Sequence, residues 1–242
     1  MRPFILLFLA LFPTAVQADC VVLLHGLARS DASLLVMQEA LERGGYQVEN
    51  ASFASTSEEI QQLSASAIDP AVAACGDQPV KFVTHSMGAI LLRYWATQNP
   101  EVKIANSVML APPNHGSEIV DKLSIFAPFK WMNGPSGMQL KTGKDGLPDQ
   151  LGPVTFPVGV IAGTRSLNPM FSRLIPGKDD GKVSVASTRV AGMRAHLTLP
   201  VTHTFMMNNP TVIAQTMWFL KNGAFEADLS FGSALRRLAL AN

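Results

Sequence analysis

The sequence predicts one α/β domain whose core is a mostly parallel, doubly wound sheet of about six strands, with helices on both faces. The first indication is length, because 242 residues suit one well-cored domain and are short for two. The second is order, because short apolar runs alternate with segments of helical periodicity along the chain. Such alternation favours a parallel sheet that helices cover on both sides.

Six short segments, most of them apolar, are predicted strands. They are 21–24, 46–50, 80–84, 104–110, 158–162 and 197–201. Between these strands, individual residues mark where helices are predicted to begin and end. Ser30 is a predicted N-cap and Gly44 a predicted helix end. Thr56 and Glu59 have the spacing of a capping box, and Asn209 before a proline predicts the start of the last helix.

The overall charge is nearly balanced. The formal net charge is +1, and 15% of the residues are charged. A protein that binds nucleic acid or an acidic partner through its charge usually carries a strong basic excess. The sequence therefore predicts no nucleic acid partner.

The N-terminus has the pattern of a secretory signal. Arg2 precedes an apolar run over 4–11, a proline follows, and the small-x-small triplet ending at Ala18 fits a cleavage site. The run is shorter than the roughly 20 residues that a membrane span needs. We therefore predict a signal peptide at 1–18 and export to the periplasm or the medium; the alternative is a buried N-terminal strand.

The two cysteines are candidates for a disulfide. Cys20 directly precedes the first predicted strand, and Cys75 lies just before the strand at 80–84. In a parallel sheet both positions fall at the same edge, and an exported protein meets an oxidising compartment. The alternative is two unpaired, buried thiols.

One interval interrupts the alternation of strands and helices. Residues 118–156 contain no clear strand, are rich in Gly and Pro, and still carry large apolar side chains: Phe126, Phe129, Trp131 and Met132. A segment of this length is usually functional, so we predict an apolar lid over a binding site; ordinary packing onto the domain is the alternative. The predicted folded domain is 19–224, followed by a tail at 225–242 that carries a short surface helix.

The junction after the third predicted strand carries the candidate nucleophile. In the sequence THSMG, Ser86 stands between the end of a strand and the start of a helix, with Gly88 two residues later. A serine on such a turn projects from the carboxyl edge of the sheet, and the amide of the next residue, Met87, points to the same place. Thr84 occupies the position where glycine is commonest, and a serine that only caps a helix would fit the same pattern.

A serine needs a base to attack an ester, and the base needs a carboxylate. In this kind of fold the expected order along the chain is serine, acid, histidine, with the last two in loops after late strands. Asp179 and Asp180 follow the strand at 158–162, and His203 follows the strand at 197–201. All these loops open on the carboxyl edge of the sheet, where ligands bind in open α/β folds.

The other histidines fit the role of base less well. His115 lies on the same edge and is the main rival. His85 adjoins the serine but is expected to point away from it, and His196 is expected to be structural. His25, followed by glycine at the end of the first strand, allows a turn that presents the Leu27 amide as a second oxyanion donor.

Five segments together resemble the α/β-hydrolase superfamily, and within it the secreted bacterial lipases and esterases. They are LLHGLARS, VTHSMGAILLRYW, APPNHGS, DDGKVSVAST and VTHTFMMNNP. The resemblance implies Ser86 as nucleophile, His203 as base, and the Leu27 and Met87 amides as oxyanion hole. It favours Asp180 over Asp179 as the acid, because that group has an Asp-Gly pair a little over twenty residues before its histidine. Thr84 departs from the usual glycine, and the two leading antiparallel strands of larger members are missing.

The resemblance implies a serine hydrolase that cleaves carboxylic esters, with a lipid or other small acyl ester as its substrate and partner. It implies no cofactor, and no metal ligands are carried over. For a lipid substrate, transient contact with a membrane surface is expected. Two alternatives remain open: a thioesterase or amidase with the same triad, and a non-catalytic protein of this fold that binds a lipid or a partner.

Overall fold

The computed structural model describes residues 18–240, and its core is a sheet of six strands that are all parallel. The strand order is β2-β1-β3-β4-β5-β6. The strands are β1 (Cys20–Leu24), β2 (Gln47–Ala51), β3 (Lys81–His85), β4 (Ser107–Leu110), β5 (Val158–Gly163) and β6 (Ala195–Leu199). The predicted fold class is confirmed. The predicted signal peptide lies outside the described residues, apart from Ala18.

Helices connect the strands and cover both faces of the sheet. They are α1 (Leu35–Arg43), α2 (Ile60–Cys75), α3 (Met87–Gln98), α4 (Glu118–Leu123), α5 (Ala127–Met138), α6 (Leu147–Gln150), α7 (Pro169–Ser172), α8 (Pro210–Asn222) and α9 (Phe231–Leu240). Within residues 18–240, none of them combines the length and the apolar character needed to cross a membrane.

Alternate residues of the strands supply two separate hydrophobic cores. In β1, Val22 and Leu24 pack in the core beneath α2 and α3, while Val21 and Leu23 pack in the core on the side of α1 and α8. This follows from the two-residue period of a strand, whose successive side chains point to opposite faces. Because helices cover both faces, β1 is apolar and buried at every position.

The start of α2 shows where the local sequence signal is wrong. Within the described residues, neither Thr56 nor Glu59 caps this helix with its side chain. Instead, the Ile60 amide donates to Oε1 of Gln139 at 2.7 Å, and Gln139 also donates to Gln61 at 2.8 Å. The cap therefore comes from a segment almost eighty residues later. By contrast, the Asn209 side chain accepts bonds from the first amides of α8, as predicted.

Cys20 and Cys75 form a disulfide, with their Cα atoms 5.6 Å apart. The bond joins the first residue of β1 to the last residue of α2, at the amino-terminal edge of the sheet. Both side chains are fully buried. The covalent link therefore lies at the opposite edge from the candidate nucleophile.

The segment 118–156 is helical, and it contacts the domain near the carboxyl edge of the sheet. It contains α4, α5 and α6, and α5 is kinked at Gly134. The Ser136 hydroxyl donates to the Ser55 carbonyl at 2.5 Å, which ties α5 to the loop after β2. In the tail, α9 packs against α8, and Arg237 pairs with Glu226 and lies over the Trp218 ring.

Candidate active site

Ser86 occupies a strained backbone position between β3 and α3. Its φ of 54° and ψ of −123° lie in a region that side chains other than glycine avoid. Holding a residue there costs of order 1–3 kcal/mol, and such strain clusters at functional sites. The sharp turn is sterically possible because Gly88 lies against β1.

Ser86 is hydrogen-bonded into a chain of three side chains. His203 Nε2 lies 3.1 Å from the Ser86 hydroxyl, and His203 Nδ1 lies 2.8 Å from Oδ2 of Asp180. His203 and Asp180 are almost fully buried, while the serine keeps a small exposed fraction. Because a carboxylate only accepts, Nδ1 carries the proton and Nε2 is free to accept the serine proton.

The structure places Asp180, rather than Asp179, against His203. The other carboxylate oxygen of Asp180 accepts bonds from the amides of Lys182 and Val183, at 3.0 and 2.9 Å. Asp179 turns away and accepts from the Ser172 hydroxyl and the Gly181 amide, both at 2.7 Å. One aspartate therefore orients the imidazole, and its neighbour stabilises the loop.

His85 supports His203 from behind, a contact that the sequence did not indicate. His85 Nε2 donates to the His203 carbonyl at 3.0 Å, and the two ring centroids are 4.8 Å apart. Burial, with the neighbouring cations, holds the pKa of His85 well below its ordinary value. A neutral His85 with its proton on Nε2 can therefore hold the loop that carries His203.

The two predicted oxyanion donors belong to different elements. Leu27 follows β1 and lines the cavity beside Ser86. Met87 is the first residue of α3, where amide groups point out of the helix end. His25, two residues before Leu27, is buried and stacks on the Phe53 ring, with centroids 3.8 Å apart.

A cavity of about 250 Å³ opens in front of Ser86 and His203. Most of its wall is apolar: Leu27, Pro113, Ile119, Val120, Phe129, Met132, Leu140, Phe171 and Val183. Of the four predicted lid residues, Phe129 and Met132 line this cavity. Phe126 and Trp131 lie outside its lining, and their side chains are 55% and 88% exposed.

The rival histidines lie away from Ser86. His115 is exposed and pairs with Asp149. His196 lies inside β6 and bonds to the Thr188 hydroxyl at 2.9 Å, and burial lowers its pKa to about 4. Neither His115 nor His196 lines the cavity in front of Ser86.

Gly88→Ala is expected to destabilise the fold and to impair the site. A Cβ at this position would lie 2.5 Å from the Leu24 carbonyl oxygen and 2.8 Å from that of His25, so α3 would have to move away from β1. We expect a loss of about 1–3 kcal/mol in the free energy of unfolding, measured by urea denaturation. Gly232→Ala in α9 is the matched control, because its Cβ would meet open space. Equal stability of the two variants would contradict the close approach at Gly88.

The six parallel strands and the serine at the sharp turn after β3 define a chain with the α/β-hydrolase fold. Comparison with solved structures agrees, since its neighbours include lipases and esterases of this fold. A Bacillus licheniformis lipase in its propeptide form is 17% identical, with a TM-score of 0.66, over 88% of this chain and 52% of that chain. A Legionella pneumophila phospholipase is 16% identical in two structures. The TM-score is 0.66 for its complex with thio-NAD, over 92% of this chain and 62% of that chain, and 0.64 for the other structure, over 92% and 63%. A Rhodococcus esterase is 14% identical, with a TM-score of 0.57, over 86% of this chain and 92% of that chain.

Sequence comparison gives a shorter match. A triacylglycerol lipase of Pseudomonas fragi is 44% identical over 50 residues, which is 21% of this chain and 17% of that protein. No protein-family model matches the chain. The chain also spans only 52% of the Bacillus licheniformis lipase and 62% of the Legionella phospholipase bound to thio-NAD.

Proposed function

We propose that the protein is a serine hydrolase that cleaves carboxylic esters through an acyl-enzyme intermediate. The observation that carries the proposal is the hydrogen-bonded chain from Ser86 through His203 to Asp180. The fold, shared with lipases and esterases, supports it. The Pseudomonas fragi match supports it as well, over a short stretch.

In this mechanism His203 accepts and returns a proton in each half of the reaction. The Ser86 oxygen attacks the ester carbonyl while Nε2 of His203 takes its proton. The tetrahedral intermediate collapses, the bond to the alcohol breaks, and His203 returns the proton to the leaving alcohol. Water then attacks the acyl-enzyme by the same route and releases the acid. Asp180 keeps the imidazole in the required tautomer and stabilises its charged form.

The Leu27 and Met87 amides are the proposed oxyanion hole. One comes from the loop after β1 and the other from the start of α3, so they can approach the carbonyl oxygen from two sides. Loss of a single donor of this kind typically costs about 10²–10³ in turnover. Both are backbone groups, so the site depends on the close packing at Gly88.

The proposed substrates are lipid or other acyl esters. The wall of the cavity is mainly apolar, which suits an acyl chain. Large apolar side chains are exposed in the segments that supply cavity residues: Ile125, Phe126, Trp131, Met132, Leu167, Met170 and Phe205. Exposed apolar side chains next to a binding cavity are typical of interaction surfaces, so we propose transient contact with a lipid surface. The segment 118–156 is the proposed lid, and 225–242 the tail.

Export is proposed on two grounds. The structure contains a disulfide, which is typical of oxidising compartments. The sequence before Cys20 has the pattern of a signal peptide.

The test is hydrolysis of p-nitrophenyl esters of increasing acyl length by the purified protein, with fluorophosphonate labelling of the serine. We expect hydrolysis, labelling at Ser86, and loss of both in Ser86→Ala, which also excludes a contaminating esterase. If the wild-type protein shows neither hydrolysis nor labelling, the proposed enzymatic activity is wrong and a binding role is favoured. A steep fall beyond short chains would contradict the lipid substrate, and faster cleavage of matched thioesters or amides would assign the triad to that chemistry.

A further inference from the structure

Two cations line the cavity in front of the candidate nucleophile. Arg29, in the loop after β1, and Lys182, in the loop after Asp180, both belong to its wall. Within residues 18–240, neither side chain takes part in an ion pair. A mainly apolar ester needs no cation to bind, so these two charges have no role in the mechanism above.

Both cations lie on the His203 side of the serine. The Arg29 guanidinium donates to the carbonyl of Thr204, the residue after His203, at 3.2 Å. The backbone amide of Lys182 donates to the Asp180 carboxylate, and the same carboxylate is bonded to the His203 ring. Because His203 gives its proton to the leaving alcohol, the alcohol portion of the ester must lie on this side of the site.

The two charges act on each other in a partly desolvated place. Lys182 keeps contact with solvent, but the surrounding protein lowers the pKa of its amine, and the nearby Arg29 lowers it further. Asp180 opposes this shift, but it is already bonded to His203. Both cations also lower the pKa of His85. Bringing two like charges together costs stability that a bound anion would offset.

Space for such an anion exists in the cavity in front of Ser86, which Arg29, Lys182 and His203 all line. A second cavity of about 180 Å³ shares Phe171, Lys182 and His203 with the first. Its further polar lining is Asn168, Thr202, Thr204 and Asp180, whose carboxylate is bonded to His203. Lys182 therefore borders both cavities, whereas Arg29 borders only the one in front of Ser86.

We propose that Arg29 and Lys182 bind a phosphate on the alcohol portion of the ester, so that the preferred substrates are acyl esters of phosphorylated alcohols. This rests on the proposed ester hydrolysis and adds its substrate class. Arginine and lysine together match the charge of a phosphate monoester. The phosphate takes no part in the reaction; the acyl group passes to Ser86 and then to water, and the phosphorylated alcohol leaves with the proton from His203.

The experiment compares two esters that differ only in the phosphate: a short-chain 1-acylglycerol and the corresponding 1-acylglycerol 3-phosphate, both below their micelle concentrations. We expect kcat/KM to be about 10- to 100-fold higher for the phosphorylated ester, the size that charge-assisted hydrogen bonds give. The ratio of the two values should fall in Arg29→Gln and in Lys182→Gln, approach one in the double variant, and decrease with added salt. Lys178→Gln is the matched control and should keep the wild-type ratio. Lys178 is, like Lys182, an exposed lysine of this loop, but it lies outside both cavities.

Three outcomes would overturn the inference. If the wild type cleaves both esters at equal rates, or the double variant keeps the preference, the inference is wrong and the ester hydrolase stands. If inorganic phosphate inhibits but the phosphorylated ester is not preferred, the site binds free phosphate and not the substrate. If neither ester is cleaved and Ser86 is not labelled by a fluorophosphonate, the proposed function fails as well. Labelling of Ser86 in each variant shows that the variant has folded.

Discussion

Asp180→Asn is expected to lower kcat/KM for a p-nitrophenyl ester about 10⁴-fold, the effect known for the equivalent change in a serine protease triad. An asparagine fits the same space but can present its NH₂ group to Nδ1 of His203. That would favour the tautomer with its proton on Nε2, which cannot accept a proton from Ser86. The measurement is steady-state hydrolysis, with unfolding by urea to show that the variant remains folded.

Asp179→Asn is the matched control, since it makes the same chemical change one residue earlier. The Asp179 side chain bonds to Ser172 and Gly181 in its own region and not to His203, so we expect at most a several-fold fall in kcat/KM. A loss as large as that of Asp180→Asn would contradict the assignment. Equal, small losses in both variants would show that His203 does not depend on either carboxylate.

The fold and the core of the site could be predicted because their signals are local in the sequence. Each strand carries its own apolar run, and in a parallel sheet all strand ends that precede helices meet at one edge. Placing Ser86, Asp180 and His203 after their strands was therefore enough to bring them to the same edge. Strand limits were predicted less accurately: β4 begins at Ser107, after an isolated pairing of Ile104 with Val80, rather than at 104.

The remaining features depend on contacts between distant segments. The capping box at Thr56 and Glu59 was wrong because Gln139, far along the chain, supplies the bond to the Ile60 amide. The support of His203 by His85 depends on a backbone carbonyl, which leaves no sequence pattern.

The predicted lid shows a limit of composition as a guide. Four residues are predicted to belong to one lid because all are large and apolar: Phe126, Phe129, Trp131 and Met132. Around α5, however, residues separated by three lie on one face, and Phe129 and Met132 share the face toward the cavity. Phe126 also lies three residues before Phe129, but it precedes the helix and has extended backbone, so it does not share that face. The two outward residues are thus better suited to contact a lipid surface than to contact an acyl chain.

Removal of the disulfide is expected to lower the free energy of unfolding by about 4 kcal/mol, because the unfolded chain gains conformational entropy once its loop is no longer closed. Cys20 and Cys75 are 55 residues apart in sequence, so the closed loop is long. The double variant Cys20→Ala, Cys75→Ala tests this by urea denaturation, and the oxidised and reduced wild type should differ by a similar amount. A difference below about 1 kcal/mol would mean that the unfolded chain is already constrained in this region.

The same variant separates stability from catalysis. The disulfide lies at the start of β1, and Ser86 follows the end of the neighbouring strand β3, so the length of the sheet stands between them. While the variant remains folded, its kcat/KM should therefore stay within about a few-fold of the wild-type value, since distant sites usually act independently. A large loss of activity without unfolding would show that the amino-terminal edge of the sheet positions the loops at the carboxyl edge. Loss of both together on reduction would instead mean that the bond is needed for folding, which would tie activity to an oxidising compartment.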